Sequence, residues 1–100
     1  MENYVLLDFW ADWCAPCKMM KPIIDKIEAD YPNLTVVRVN VDEDAAMVQD
    51  YNVSSVPTYI LMNKDKEILS FATGAMPEFK FKKELKLDVL EFGENSTNAS

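Results

Sequence analysis

The sequence contains no histidine, only two cysteines and two glycines, and ten basic residues against seventeen acidic ones. Without histidine the commonest general base and the usual nitrogen ligand for metals are excluded, so any chemistry must use thiols, carboxylates or the backbone. Two cysteines are too few for a secreted disulfide scaffold, which carries more of them at longer spacings. The net charge of -7 argues against a nucleic-acid or anionic-membrane surface, where binding requires clustered lysine and arginine. No run approaches the roughly 18 apolar residues of a membrane span. The first ten residues lack a basic leader followed by an apolar stretch, so the expectation is a cytoplasmic protein with no membrane partner. The sequons at Asn95 and Asn98 read as chance features of a polar tail.

Apolar residues make up 49% of the 100-residue chain, enough to bury one compact core. Residues 1–92 read as that single domain, and 93–100 as a polar, disordered tail. Tyr4–Trp10 is almost continuously apolar, as in a central strand buried on both faces, with Asp8 the interruption. From 15 to 31 the apolar positions Met20, Ile23, Ile24, Ile27 and Tyr31 fall at helical spacing, with Lys21, Asp25, Lys26 and Glu28 facing outward. Pro22 removes one helical hydrogen bond and predicts a kink. Residues 34–41 read as a second buried strand, completing a βαβ unit with parallel pairing. Residues 42–44 offer N-caps for a short helix through Ala45, Met47, Val48 and Tyr51. Thr58–Asn63 and Ile68–Thr73 read as an antiparallel hairpin with no glycine in its turn. Pro77 is placed to open a last helix whose stripe is Phe81, Leu85, Val89 and Phe92.

The chemistry lies in Trp13-Cys14-Ala15-Pro16-Cys17-Lys18, where the first strand hands over to the first helix. A bare CxxC is compatible with a zinc site, an inert pair or a redox site. Zinc needs about four ligands, which carboxylates or water would have to complete here. The position favours redox chemistry. Cys14 falls at a helix start, where unpaired amides and the helix dipole favour an anion, and a thiolate is the nucleophile of disulfide exchange. Cys17 lies one turn further in, able to donate a hydrogen bond to the Cys14 thiolate and later to attack a mixed disulfide. Pro16 is tolerated in the first turn and stiffens the loop. Asp8 is either a satisfied structural carboxylate or a buried acid whose proton affinity is raised by its burial.

Asp8-Phe9-Trp10-Ala11-Asp12-Trp13-Cys14-Ala15-Pro16-Cys17-Lys18, then Pro22, then Val56-Pro57-Thr58 and then Gly74, resemble the thioredoxin family in order and near-regular spacing over residues 4–87. The resemblance implies an α/β thioredoxin-like fold, a central mixed β-sheet of about four strands flanked by about three helices. It implies a cis bond before Pro57 that sets the Val56 backbone beside the cysteines, where it pairs with an extended substrate like an added strand. It places Asp8 beneath Cys17 as a proton relay, and Trp10 and Trp13 near the disulfide, Trp13 on the substrate-facing rim. Ala15, Pro16, Thr58 and Gly74 complete the expected substrate surface. Lys18 either supports the thiolate or is a solvated surface lysine.

Three features depart from the family pattern. The usual strand and helix ahead of Tyr4–Trp10 have no counterpart, so the 34–41 strand is expected to be an exposed edge that invites weak dimerisation. The dipeptide between the cysteines is Ala-Pro in place of the familiar Gly-Pro, and that dipeptide tunes potential. Arg38 stands where the family tends to carry lysine near the buried Asp, and an arginine keeps its charge. The function expected is reduction of protein disulfides by dithiol exchange. The alternatives are a disulfide oxidase or isomerase on the same fold and a binding module for a partner enzyme. The resemblance implies no bound cofactor and re-reduction by NADPH through a flavoprotein thioredoxin reductase, or by a glutaredoxin-type system.

Overall fold

A computed structural model describes residues 3–88. The elements follow in the order β1 (Tyr4–Trp10), α1 (Ala15–Asp30), β2 (Leu34–Asn40), α2 (Ala45–Asp50), β3 (Thr58–Asn63), β4 (Ile68–Thr73) and α3 (Glu78–Glu84). They build one mixed sheet ordered β2-β1-β3-β4, with β1 parallel to β2 and antiparallel to β3, and β4 antiparallel to β3. This is the thioredoxin-like α/β architecture that the motif resemblance implies.

Alternation along the strands divides the core in two. Tyr4, Leu6, Tyr59 and Leu61 face α1 and α3, packing against Met20, Ile24, Ile27, Phe81 and Leu85. The intervening residues Leu7, Phe9, Ile60 and Met62 face the opposite way, toward Met47, Val48 and Tyr51 of α2. The Tyr59 and Phe81 rings meet edge to face, with centroids 4.8 Å apart. Asp8 falls on the α1 side of β1, between Arg38 of β2 and Tyr59 of β3. Sheet register therefore decides what surrounds it.

The second strand is less buried than expected. It ends at Asn40, and Thr35, Val37 and Arg38 are exposed. Among the described residues only β1 pairs with it, so β2 is the edge strand expected from the departures noted above, and it is less buried than its apolar run suggests. The helix α1 runs through Pro22 as a single element. The glycine-free hairpin turn is organised by Asn63, whose side-chain oxygen accepts from the Asp65 and Glu67 amides, while Lys66 takes φ 66°.

The last helix is shorter than its apolar stripe suggests. It ends at Glu84, Lys86 adopts φ 63°, and the Lys86 and Leu87 amides bond back to the Lys83 and Lys82 carbonyls. That pairing is a Schellman stop, normally built on glycine. It turns Leu87 back into the core. Val89, Phe92 and the 93–100 tail lie outside the described residues. The same stop ends α2, where Asn52 takes φ 56° and the Asn52 and Val53 amides bond to Gln49 and Val48.

Candidate active site

The strand-to-helix turn after β1 positions the cysteines. Ala11 is buried, its carbonyl accepts the Cys14 amide at 3.2 Å, and Cys14 has extended backbone angles as the N-cap of α1. An N-cap side chain normally offers an oxygen to one of the unpaired amides of the first turn. Here the Cys14 Sγ does so, accepting from the Cys17 amide at 3.1 Å. Pro16, early in the helix, has no amide to leave unpaired there. One turn in, Cys17 closes a disulfide with Cys14 across a Cα–Cα distance of 5.3 Å. Cys14 is 3% exposed and Cys17 is half-buried, while Ala15, Pro16 and Lys18 lie at the surface.

Asp8, Trp10, Cys17, Lys18 and Arg38 line one cavity of about 240 Å³, together with Ala11, Asp12, Lys21 and Ile24. Five residues singled out in the sequence are thus brought to a single space. Asp8 is 7% exposed, and burial raises its pKa from 3.8 to about 6. The Arg38 charge opposes that rise and the Asp25 charge adds to it. Burial also raises the Tyr59 phenol, with the Asp8 charge acting in the same direction. The Trp10 indole Nε1 is a buried donor with no hydrogen-bond partner among the described residues.

A second group forms around the Val56–Pro57 bond, which is cis. The Thr58 hydroxyl donates to the Ser55 carbonyl at 2.7 Å, and the Gly74 amide donates to the Pro57 carbonyl at 3.0 Å. Gly74 has φ 86°, a conformation that suits glycine, although a Cβ there would meet nothing within 4 Å. None of these residues lines the cavity beside Cys17. Trp13 is 68% exposed, and its indole donates to Asp42 Oδ2 at 2.9 Å.

Sequence reasoning missed three acidic residues. Asp42 reads as a cap candidate, yet it holds Trp13, while Asp44 caps α2. Asp25 and Glu28 read as solvated helix positions, yet both bond to Arg38. Their three-residue spacing places them on one side of α1, the available signal, but nothing in the sequence says that Arg38 lies opposite. Among the described residues no group of cysteine and carboxylate side chains is placed to hold a metal ion. No helix there is long and apolar enough to cross a membrane.

A mixed sheet with a CxxC disulfide at the first strand-to-helix turn and a cis-proline loop defines the thioredoxin-fold class. The comparisons agree. The family model described as Thioredoxin matches residues 1–87, and the chain belongs to the thioredoxin family. A thioredoxin from Chlamydia trachomatis serovar D is 42% identical over 67 residues, 67% of this chain and 66% of that protein. The chain thus spans slightly less than two thirds of that relative's length. A mutant thioredoxin from Halobacterium salinarum NRC-1 superposes with a TM-score of 0.77 at 31% identity, covering 90% of this chain and 78% of the other. Oxidised mitochondrial thioredoxin 3 from Saccharomyces cerevisiae superposes with a TM-score of 0.74 at 32% identity, covering 86% and 79%.

Proposed function

We propose that the chain reduces protein disulfides by dithiol exchange. The observation that carries this reading is the Cys14–Cys17 disulfide at the start of α1, with Cys17 opening onto the cavity that holds Asp8. In the reduced protein the Cys14 thiolate attacks one sulfur of a target disulfide. A Cys14–substrate bond forms, the substrate S–S bond breaks, and one substrate thiolate leaves. Cys17 then gives its proton to Asp8 and attacks the Cys14 sulfur. The second substrate thiolate departs and the Cys14–Cys17 disulfide remains. Two electrons have passed to the substrate.

Exposure by itself does not rank the cysteines in this order, because Cys14 is the more enclosed of the two in the disulfide state. The assignment of Cys14 as attacking thiol rests on its N-cap position, where the Cys17 amide already points at its sulfur. An anionic sulfur is stabilised by that donor and by the helix dipole. Trp13, Ala15, Pro16, Val56, Pro57, Thr58 and Gly74 form the substrate surface, with the Val56 backbone pairing to an extended segment. Trp10, Lys18 and Arg38 support the cavity side. The chain works in the cytoplasm as a monomer or a weak dimer through the open β2 edge. It holds no cofactor, and its electrons come from NADPH through a flavoprotein thioredoxin reductase or from a glutaredoxin-type system.

The test pairs two substitutions with a potential. Cys17→Ser should accumulate mixed disulfides with target proteins, and Cys14→Ser should not; the reverse pattern overturns the assignment. Equilibration of the Cys14–Cys17 pair across a dithiol buffer series should give a strongly reducing value. An oxidising value would make the protein a disulfide donor or shuffler.

A further inference from the structure

Arg38 is tied to three carboxylates, and not equally. Its Nη2 lies 2.8 Å from Asp25 Oδ1 and its Nη1 lies 3.3 Å from Glu28 Oε1, both on α1. Only Nε turns toward Asp8 Oδ2, at 3.9 Å. That is an ion-pair separation, longer than a hydrogen bond. A guanidinium presents its five N–H donors in one rigid plane, so bonds from both terminal nitrogens to α1 fix where that plane points, and it is not set to grip Asp8 in the bidentate way that arginine and carboxylate favour.

We propose that Asp25 and Glu28 are positioning residues: by occupying both terminal nitrogens of Arg38 they hold its guanidinium off Asp8 and leave that carboxyl free to take the Cys17 proton. The link to Cys17 rests on the dithiol reading above; the clamp itself does not. Few charged or titratable groups among the described residues face Asp8. Arg38 comes from β2 and Tyr59 from β3, its two cross-strand neighbours. Cys17, Lys18 and Lys21 face the shared cavity from α1, and Asp12 does so from the loop before it. Asp25, further along α1, acts through its charge. Among the described cations, Arg38 is the one in ion-pair contact with Asp8, so where its fork points bears on how strongly the ionised carboxyl is favoured. The α1 carboxylates are half-exposed, and each such pair is individually weak. The clamp can therefore be removed without disturbing the core.

The experiment follows the Asp8 carboxyl by carbon NMR in the oxidised full-length protein, with its signal assigned by loss in Asp8→Asn. Asp25→Asn combined with Glu28→Gln should lower the Asp8 midpoint by about one pH unit, the scale of an opposite charge brought close to a carboxylate. Losing Asp25 also removes a repulsion that acts directly on Asp8. The same pair of substitutions is therefore repeated in an Arg38→Gln background, where less than half of the shift should remain. An equal shift in both backgrounds, or none in the first, overturns the proposal. In the reduced protein the pH midpoint of mixed-disulfide release should move down with the carboxyl. Because the titration is read without turnover, a parent protein that fails to reduce disulfides would refute the functional reading and leave the clamp measurement valid.

Discussion

Replacing Asp8 with asparagine should stabilise the protein, by an amount that grows with pH. Asp8 titrates near 3.8 when solvated, and at about 6 in the fold because burial disfavours its charge. Between those values the folded state keeps a proton that the unfolded chain has released, so stability falls as pH rises through this window. The gap of roughly two units, at 1.36 kcal/mol each, corresponds to a penalty of about 3 kcal/mol, complete above about pH 6 and absent below about pH 4. Asparagine is nearly isosteric and carries no charge. It needs hydrogen bonds for its amide, so the figure is a ceiling. Urea unfolding of the oxidised parent and variant should show near-equal stabilities at about pH 3.5 and a variant more stable by ~2–3 kcal/mol at about pH 8. The same substitution should slow release of the mixed disulfide, since the proton acceptor is lost. A stability difference constant across pH, or a variant less stable at pH 8, would refute the assignment of a burial penalty to this carboxyl.

Three further outcomes follow from backbone and packing. Lys86→Gly should stabilise the fold by about 1 kcal/mol, because a left-handed Schellman position is relieved of its Cβ; an unchanged urea midpoint would show the conformation to be unstrained. Gly74→Ala should cost about 1–2 kcal/mol through φ alone. No neighbour stands within 4 Å to clash, so thermal unfolding should show the loss while the sheet's circular dichroism is retained. Phe81→Ala removes a fully buried ring packed edge-on against Tyr59. It should cost ~3–5 kcal/mol, enough to bring a domain of this size close to unfolding at room temperature; a loss below about 1 kcal/mol would mean that the core refills.

Local chemistry was readable wherever neighbouring residues in the chain supply it. The βαβ start, the CxxC at a helix N-terminus and the hairpin all depend on periodicity and on residues a few positions apart. The end of α3 was not readable, because the apolar stripe continues past Glu84 while the backbone does not. What stops the helix is a lysine in a left-handed conformation, a choice made by Leu87 docking in the core and not by any local preference of lysine. The edge position of β2 is legible in the sequence, but its burial is not. Composition marks a strand as apolar, while how far each side chain is covered depends on what packs across that face.

By itself, then, the chain order determined the reactive motif, the helix that opens on Cys14, the position of Asp8 within a buried strand and the thioredoxin membership to which these point. Tertiary structure alone decided the electrostatics of the site. Asp8 meets Arg38 only because β1 and β2 align in parallel register, and Arg38 meets Asp25 and Glu28 only because α1 packs on that side of the sheet. Those residues are ten to thirty positions apart in sequence. Coulomb interactions depend on distance and burial in space, and neither is written in the local pattern.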